Sequence, residues 1–183
     1  MNVDELQRQI EQKFAPGPLL AVQGLANTYD FEAEEELLLD PAATREWLLR
    51  SGLATEDIEV GTSDHERLRE FRGVVRSMLE NNLHPGETPL DASGLGGFAT
   101  LGVPLSVGAG GELELDMTPA ADVDTVIAQM LGAIHAAQLG GDFRRLKICN
   151  ADDCRWAFFD SSKNRGGASS RRGSRNRSSS RHR

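Results

Sequence analysis

The stretch 63–83, SDHERLREFRGVVRSMLENNL, carries the clearest helical pattern in the chain. Ser63 followed three residues later by Glu66 is typical of a capping box, in which two side chains satisfy free backbone donors at the start of a helix. The apolar residues behind it recur mostly at intervals of three and four, which is the spacing of one helix face. They are Leu68, Phe71, Val75, Met78 and Leu79. The stretch therefore predicts a long amphipathic helix.

Further helices are predicted on both sides of this stretch. Asp40 can cap a helix that has a proline at its first position, and Gly52 ends it. The segment 118–140 has the period of a longer helix that two glycines terminate. The segment 3–14 has an apolar stripe at steps of four, which predicts a short N-terminal helix. The apolar segment 19–29 fits a strand or a helix equally well.

A β-hairpin is predicted near 103–117. Apolar residues alternate with polar ones on both sides of the glycine-rich segment 108–111, which is typical of two strands joined by a turn. We find no internal repeat. The predicted fold class is therefore mainly α with a small β-hairpin (α+β).

Charge divides the chain into two unequal parts. From Arg144 to Arg183 there are twelve Lys/Arg and three Asp/Glu, a net charge of +9. The preceding residues hold eight Lys/Arg and twenty-five Asp/Glu, a net charge of −17, which gives the total of −8. From Ser161 onward the chain is rich in Ser and Arg, with little to bury, so we expect this tail to be disordered. We predict a helical domain over 1–142 and a smaller C-terminal module with a basic tail over 143–183.

Bulk properties argue against several classes of protein. No apolar run approaches the ~18 residues that span a bilayer, and the N-terminus is polar and acidic, so we expect neither a membrane partner nor a signal peptide. Two cysteines do not make a disulfide framework, and we expect a reducing, cytoplasmic setting. No catalytic constellation, phosphate-binding glycine loop or carboxylate pair stands out, so we expect that the protein is not an enzyme.

The residues at the start of the basic part have more than one interpretation. Cys149 and Cys154 are either small buried residues or ligands of a metal, because one pair of this spacing is a weak metal signal. Trp156, Phe158 and Phe159 can pack against the helical domain or stack on nucleic-acid bases.

The segment 146–165, LKICNADDCRWAFFDSSKNR, resembles the CGNR zinc finger that closes a family of proposed bacterial transcription regulators. Members of that family join the finger to a mostly helical N-terminal domain called ABATE, which is regarded as a stress sensor. The N-terminal part is similar too, through Asn27-Thr28 followed by acidic residues and through the segment 40–53. The resemblance implies a bacterial, DNA-binding regulator of transcription in the stress response, with zinc as a cofactor.

The second cysteine pair of that finger is replaced by serine here. When the final Asn-Arg of the family's motif is placed on 176–177, the two cysteine positions fall on Ser169 and Ser174. The resemblance then leaves Cys149 and Cys154 as the metal ligands. A structural zinc site takes four ligands, and a serine hydroxyl is a far poorer one than a thiolate. Two chains sharing one site, or a histidine of the tail as a third ligand, stay open.

We expect a transcription regulator whose helical domain senses a signal or forms a homodimer while the basic module binds DNA. Cationic side chains on phosphates give affinity with little sequence readout, so binding should be weak and dependent on salt. The alternative is a protein-interaction or ligand-sensing module that binds no nucleic acid, with the tail as a solvated linker or a solubility device. The predicted nucleic-acid contacts are Lys163, Arg165, Arg171, Arg172, Arg175, Asn176, Arg177 and Arg181.

Overall fold

The structure is a computed structural model that describes residues 13–85 and 92–162. Its α-helices in this part of the chain are α1 (Leu19–Ala26), α2 (Pro41–Arg50), α3 (Thr62–Leu83), α4 (Ala92–Gly96) and α5 (Val123–Gly140). The strands are β1 (Tyr29–Asp30), β2 (Glu35–Glu36), β3 (Leu105–Val107), β4 (Leu113–Leu115), β5 (Leu146–Ile148) and β6 (Ala157–Phe159). They pair antiparallel as three two-stranded sheets, β1–β2, β3–β4 and β5–β6. The predicted fold class, mainly α with small antiparallel strand pairs, is confirmed.

The core is built by α1, α3 and α5, which pack against one another, and by β5, which lies against α3. The side chains that meet there are apolar and fully buried, as Leu25 of α1, Phe71 of α3 and Ile127 of α5 show. The apolar face predicted for the stretch 63–83 is therefore the face that enters the core. Among the described helices, none has both the length and the apolar character that a bilayer crossing requires.

The helix around residue 45 begins and ends where its sequence predicts. The Asp40 carboxylate accepts a hydrogen bond from the Ala43 N–H at 2.8 Å, with Pro41 at the first helical position. This contact satisfies one of the free N–H groups at the start of α2. Just beyond the end of the helix, Gly52 has a φ of +67°, a conformation that glycine adopts without steric cost.

Two predicted helix starts are wrong. The long helix α3 begins at Thr62 after Gly61, whose N–H donates to the Asp64 carboxylate at 2.9 Å, so Ser63 does not cap it. The helix predicted from residue 118 begins only at Val123, where the carboxylate of Asp122 accepts from the Thr125 N–H. The helix predicted over 3–14 falls almost entirely outside the described residues.

The β1–β2 hairpin, which the sequence did not predict, is fastened to α3 by a buried ion pair. Arg72 donates to both carboxylate oxygens of Glu36, at 2.7 and 2.6 Å, and also to the Thr28 hydroxyl at 2.9 Å. Burial alone would raise the pKa of Glu36, but the bonds from Arg72 and from the Leu38 N–H, together with the charges of Arg72 and Arg69, lower it. A two-pronged bond of this kind fixes the orientation of both side chains.

The predicted hairpin near 103–117 forms with Val107 opposite Leu113. It lies on α5 at Gly132, where a Cβ atom would come within 2.7 Å of a Val103 methyl carbon. The absence of a side chain at this position allows the close approach. The far end of the hairpin stays open to solvent, since the side chains of Leu105, Val107 and Leu113 are 57%, 70% and 70% exposed.

Candidate metal centre and nucleic-acid interface

The two cysteines lie on the hairpin formed by β5 and β6, which we call the thiol hairpin (146–159). Cys149 extends the strand pairing, because its N–H donates to the Trp156 carbonyl at 2.8 Å. The tip is closed by the N–H groups of Cys154 and Arg155, both of which donate to the Ala151 carbonyl at 3.1 Å. Arg155 has a φ of +46°, which turns the chain back into β6. The short strands and the tight tip bring both cysteine side chains to one end of the hairpin.

Both cysteines are free and half-buried, and the Cys149 side chain lies close enough to Cys154 to shift the pKa of its thiol. Burial raises the pKa of the Cys154 thiol. The neighbouring Cys149 and the negative charge of Glu32 raise this pKa further, whereas the Trp156 N–H, which donates to the sulfur, lowers it. Each effect follows the ordinary rule for a group that is negative when deprotonated.

Side-chain amides of the helical part hold the backbone of the thiol hairpin. The Asn27 side chain donates to the Ala157 carbonyl at 2.9 Å and accepts from the Ala157 N–H at 2.7 Å, as a neighbouring strand would. Gln23 donates to the same carbonyl at 3.0 Å. Near the other strand, Asn82 donates to the carbonyls of Phe143 and Leu146 at 2.8 and 3.0 Å. The hairpin is therefore packed and hydrogen-bonded into the same core as the helices.

A stack of two arginines on one aromatic ring fixes the tip. Arg76 is buried and lies 4.5 Å from the ring centre of Phe31, and Arg155 lies 5.2 Å from the same ring. Arg76 donates to the carbonyls of Ala26 and Arg155 at 2.7 and 2.9 Å, and Arg155 pairs with Glu80. Burial lowers the pKa of Arg76 to about 10, helped by the charge of Arg155, so the group stays protonated at neutral pH.

The chain leaves β6 beside a small basic cleft of about 190 Å³ that Arg144, Arg145 and Lys147 line. Asp160 donates its N–H to the Arg145 carbonyl at 2.7 Å, and its own carbonyl accepts from the Arg145 side chain at 2.8 Å. Its carboxylate pairs with the buried Lys147 at 2.9 Å. Burial would raise the pKa of Asp160, but the bonds from Ser162 and Lys147 lower it. The start of the basic tail is thus held at a defined position.

The aromatic residues of the hairpin do not share one environment. Phe159 is buried in the core, under the guanidinium of Arg145 at 5.1 Å from its ring centre. Phe158 is half-buried, whereas 44% of Trp156 is exposed beside the cysteines. Packing therefore accounts for Phe159, and Trp156 is the ring that solvent or a ligand can reach.

The polar residues Asn27 and Thr28 and the histidines of the helical part have the following surroundings. Asn27 binds the hairpin, and the Thr28 hydroxyl donates to the Leu25 carbonyl at 2.8 Å. His65 is buried, with its Nδ1 2.8 Å from the Thr44 hydroxyl. His135 lies exposed on α5. The predicted nucleic-acid contacts, Lys163, Arg165, Arg171, Arg172, Arg175, Asn176, Arg177 and Arg181, and the serines at the family's cysteine positions, Ser169 and Ser174, lie outside the described residues.

The residues that the structure describes supply only part of the ligand set for the zinc that a CGNR finger implies. Cys149 and Cys154 form a pair of soft donors, but within residues 13–85 and 92–162 no third His, Cys, Asp or Glu joins them in a group that could hold a metal ion. The two remaining family positions are serines, whose hydroxyls do not replace thiolates in a structural site. The described residues therefore supply two of the four ligands that a structural zinc site takes.

Sequence analysis missed the strands of the thiol hairpin and the residues that anchor it. A signal for part of the anchor is present in α3. Arg72, Arg76 and Asn82 fall in the repeat that also places Leu68 and Leu79 in the core. A charged or amide side chain on the buried face of a helix has to find a polar partner there. In this fold Arg72 pairs with Glu36, and Arg76 donates to the carbonyls of Ala26 and Arg155. Asn82 donates to the carbonyls of Phe143 and Leu146.

Two family profiles match consecutive parts of the chain. The profile of ABATE, whose description reads "putative stress-induced transcription regulator", matches residues 21–142, and that of the CGNR zinc finger matches residues 145–180. No curated protein matches the chain. The matched families are of the regulator and zinc-finger types and are not enzyme families. The ABATE profile covers about two thirds of the chain. The chain therefore belongs to the ABATE family, and it continues into a segment that matches the CGNR zinc finger.

Proposed function

We propose that the protein is a DNA-binding transcription regulator in which the helical part positions a cationic C-terminal segment on the phosphate backbone. The observation that carries this proposal is the separation of charge, with a net +9 over 144–183 and a net −17 over the preceding residues. A dense cationic segment on an anionic protein is the electrostatic signature expected for contact with a polyanion.

The anchoring of the thiol hairpin supports the same proposal. Because Asp160 is held by Arg145 and Lys147, the tail begins at a fixed point on the surface. The exposed ring of Trp156 and the exposed Arg144 lie in the part of the chain that leads to the tail. A positioned start lowers the entropy that the tail loses when it binds.

The individual roles follow from the chemistry of the side chains. Arginine and lysine neutralise phosphates and release counterions, which gives affinity with little sequence specificity. The exposed Trp156 adds a flat apolar surface on which a base can stack. We propose the following residues as nucleic-acid contacts: Lys163, Arg165, Arg171, Arg172, Arg175, Asn176, Arg177 and Arg181.

Truncation of the chain tests whether the basic tail is responsible for the affinity for DNA. A chain that ends at Ser162 keeps the described fold and loses the tail, so it should lose affinity for random-sequence duplex DNA at least about tenfold in low salt. A matched control is Arg50→Gln in the full chain, because Arg50 is an exposed arginine that only pairs with Glu46 at 3.5 Å. The control should bind as the wild type does. Equal affinity of the truncated and full chains would argue against the proposal.

The proposed function leads to a proposed cellular location and to a proposal about the need for zinc. A regulator that binds the chromosome of a bacterial cell acts in the cytoplasm, and we propose that location. Zinc is the cofactor that the CGNR family implies. Because this chain supplies two thiols to such a site, we propose that its DNA binding does not require zinc.

A second candidate function is that of a protein-interaction module, and the exposed end of the β3–β4 hairpin favours it. Leu105, Val107 and Leu113 present an apolar face, and a two-stranded sheet leaves strand edges free for pairing. An apolar face with a free edge is suited to a second copy of the chain, which would pair strand to strand and form a homodimer.

The oligomeric state tests this second candidate. Val107→Glu adds a charge to the exposed face and should shift a dimer to monomer in size-exclusion chromatography with light scattering. Leu139→Glu is the control, because Leu139 is 78% exposed on α5 away from the hairpin. A wild-type chain that is monomeric up to about 100 µM, far above the Kd of a specific dimer, would exclude the homodimer.

A further inference from the structure

The two thiols of the thiol hairpin lie close together, and within the described residues no third His, Cys, Asp or Glu joins them in a group that could hold a metal ion. They are the only two cysteines of the chain, so within one molecule each has a single thiol as its partner. Two neighbouring thiols in one molecule are the arrangement from which an intrachain disulfide forms. The pair therefore needs an explanation of its own beyond the incomplete zinc site.

The backbone around the pair holds the two sulfurs together while leaving them within reach of solvent. Cys149 is fixed by its bond to Trp156, and the tip is closed by the bonds to the Ala151 carbonyl. Next to the pair, Arg155 is held by Arg76 and Glu80. Both cysteines are only half-buried, so a small oxidant can reach them.

We propose that Cys149 and Cys154 are a redox modification site, at which a hydroperoxide converts the two thiols into an intrachain disulfide that a dithiol reductant reverses. The cross-link would close the tip of the thiol hairpin covalently. This inference does not depend on the proposed binding of DNA, because it concerns the thiols alone.

The chemistry balances with hydrogen peroxide as the oxidant. One cysteine, as its thiolate, attacks a peroxide oxygen; the O–O bond breaks, the sulfur becomes a sulfenic acid, and the leaving hydroxide takes up the thiol proton as water. The second cysteine then attacks the sulfenic sulfur, the S–S bond forms, and a second water leaves. In sum, two thiols and one peroxide give one disulfide and two waters, with both electrons passing from sulfur to the peroxide.

The anchor of the thiol hairpin does not depend on the sulfur atoms. The polar contacts that fasten the tip go to the backbone and side chain of Arg155 and to Ala157, and none of these uses a sulfur atom. The oxidised hairpin can therefore keep its place against α1 and α3. Oxidation should leave the secondary structure unchanged.

The test uses the full chain, purified under reducing conditions and then treated with a small excess of hydrogen peroxide. Free thiols should fall from two to none per chain, the intact mass should fall by two hydrogen atoms, and the product should stay a single chain. Peptide mapping without reductant should find Cys149 joined to Cys154. Dithiothreitol should restore both thiols.

Single substitutions and a redox buffer complete the test. Cys149→Ser and Cys154→Ser should each leave a sulfenic acid or a chain-to-chain disulfide, and neither should form the intrachain product. In a glutathione buffer, the native chain should form the disulfide with an equilibrium constant at least about tenfold larger than the urea-unfolded chain, because the fold holds the sulfurs together. This comparison uses the wild-type chain, so it stands even if a variant fails to fold.

Three results would overturn the proposal. They are two free thiols that persist after treatment, oxidation that joins only different chains, and a native equilibrium constant no larger than that of the unfolded chain. Zinc at one per chain that shields both thiols would overturn it as well. None of these results bears on whether the basic tail binds DNA.

Discussion

Replacing Asn27 by alanine removes the side chain that pairs with the backbone of β6. Ala157 is fully buried, and its N–H donates to Asn27 at 2.7 Å. After the substitution this N–H has no partner in the described part of the fold, and an unsatisfied buried donor costs about 1–3 kcal/mol. The Ala157 carbonyl keeps its bond from Gln23 at 3.0 Å, so the lost bond there adds only about 1 kcal/mol. We expect a total loss of about 2–4 kcal/mol.

Urea unfolding of the full chain, followed by circular dichroism, measures this loss. The midpoint should fall at an unchanged slope, and the Tm should drop by about 4–16 °C, since each kcal/mol shifts the Tm of a chain this size by about 2–4 °C. Asn150→Ala is the matched control, because Asn150 is an exposed amide on the tip of the same hairpin whose bond with His84 Nε2, at 3.2 Å, lies at the surface, and its loss should cost less than about 1 kcal/mol. If Asn27→Ala stays within that same margin of the wild type, the thiol hairpin is not fastened to α1 as described.

Four further outcomes are expected. Glu36→Ala leaves the buried Arg72 unpaired and should cost about 3–5 kcal/mol in urea unfolding. Because the pKa of Glu36 is lowered in the fold, its contribution is complete above the ordinary carboxyl value of 4.5 and is lost as the pH falls through the lower folded value. Acid unfolding of Glu36→Gln should therefore depend less steeply on pH, and an unchanged slope would contradict this. Gly132→Ala pushes a methyl group into the β3–β4 hairpin and should cost about 1–3 kcal/mol, so full wild-type stability would disprove the close contact. Changing Ser169 and Ser174 to cysteine together should raise zinc to one per chain by elemental analysis, and no gain would refute the alignment of the tail.

The elements that could be predicted from sequence are those with strong local signals. Asp40 followed by proline defines the start of α2, and the apolar repeat through Phe71 defines the buried face of α3. Alternation around glycines predicts the β3–β4 hairpin. Each of these signals lies within one element and needs no knowledge of the rest of the fold.

The errors arise where a distant part of the chain decides the local structure. The segment before α5 has helical character, but Ala120 pairs with the loop after α2 through bonds to Leu53 and Thr55 at 3.0 and 2.9 Å. This pairing delays the helix to Val123. Strand β6 of the thiol hairpin, Ala157–Phe159, is apolar throughout and gives no alternation signal, and the position of the hairpin depends on Asn27 and other residues far along the chain.

For the candidate site, the cysteine pair could be identified from sequence because its motif is local. The proximity of the two thiols and the stack of Arg76 and Arg155 on Phe31 could not, since they depend on how α3 meets the hairpin. The predicted contacts of the tail remain predictions, because they lie beyond the described residues.

The central proposal is that the cationic tail binds DNA phosphates. The salt dependence of DNA binding tests this proposal most directly. For the full chain, the logarithm of the affinity for a random duplex should fall by roughly 4 or more for each tenfold rise in salt, because about five or more of the seven proposed Lys/Arg contacts each contribute roughly 0.9 to the slope. The chain that ends at Ser162 should show no measurable slope. A slope near zero for the full chain in dilute buffer would contradict the account.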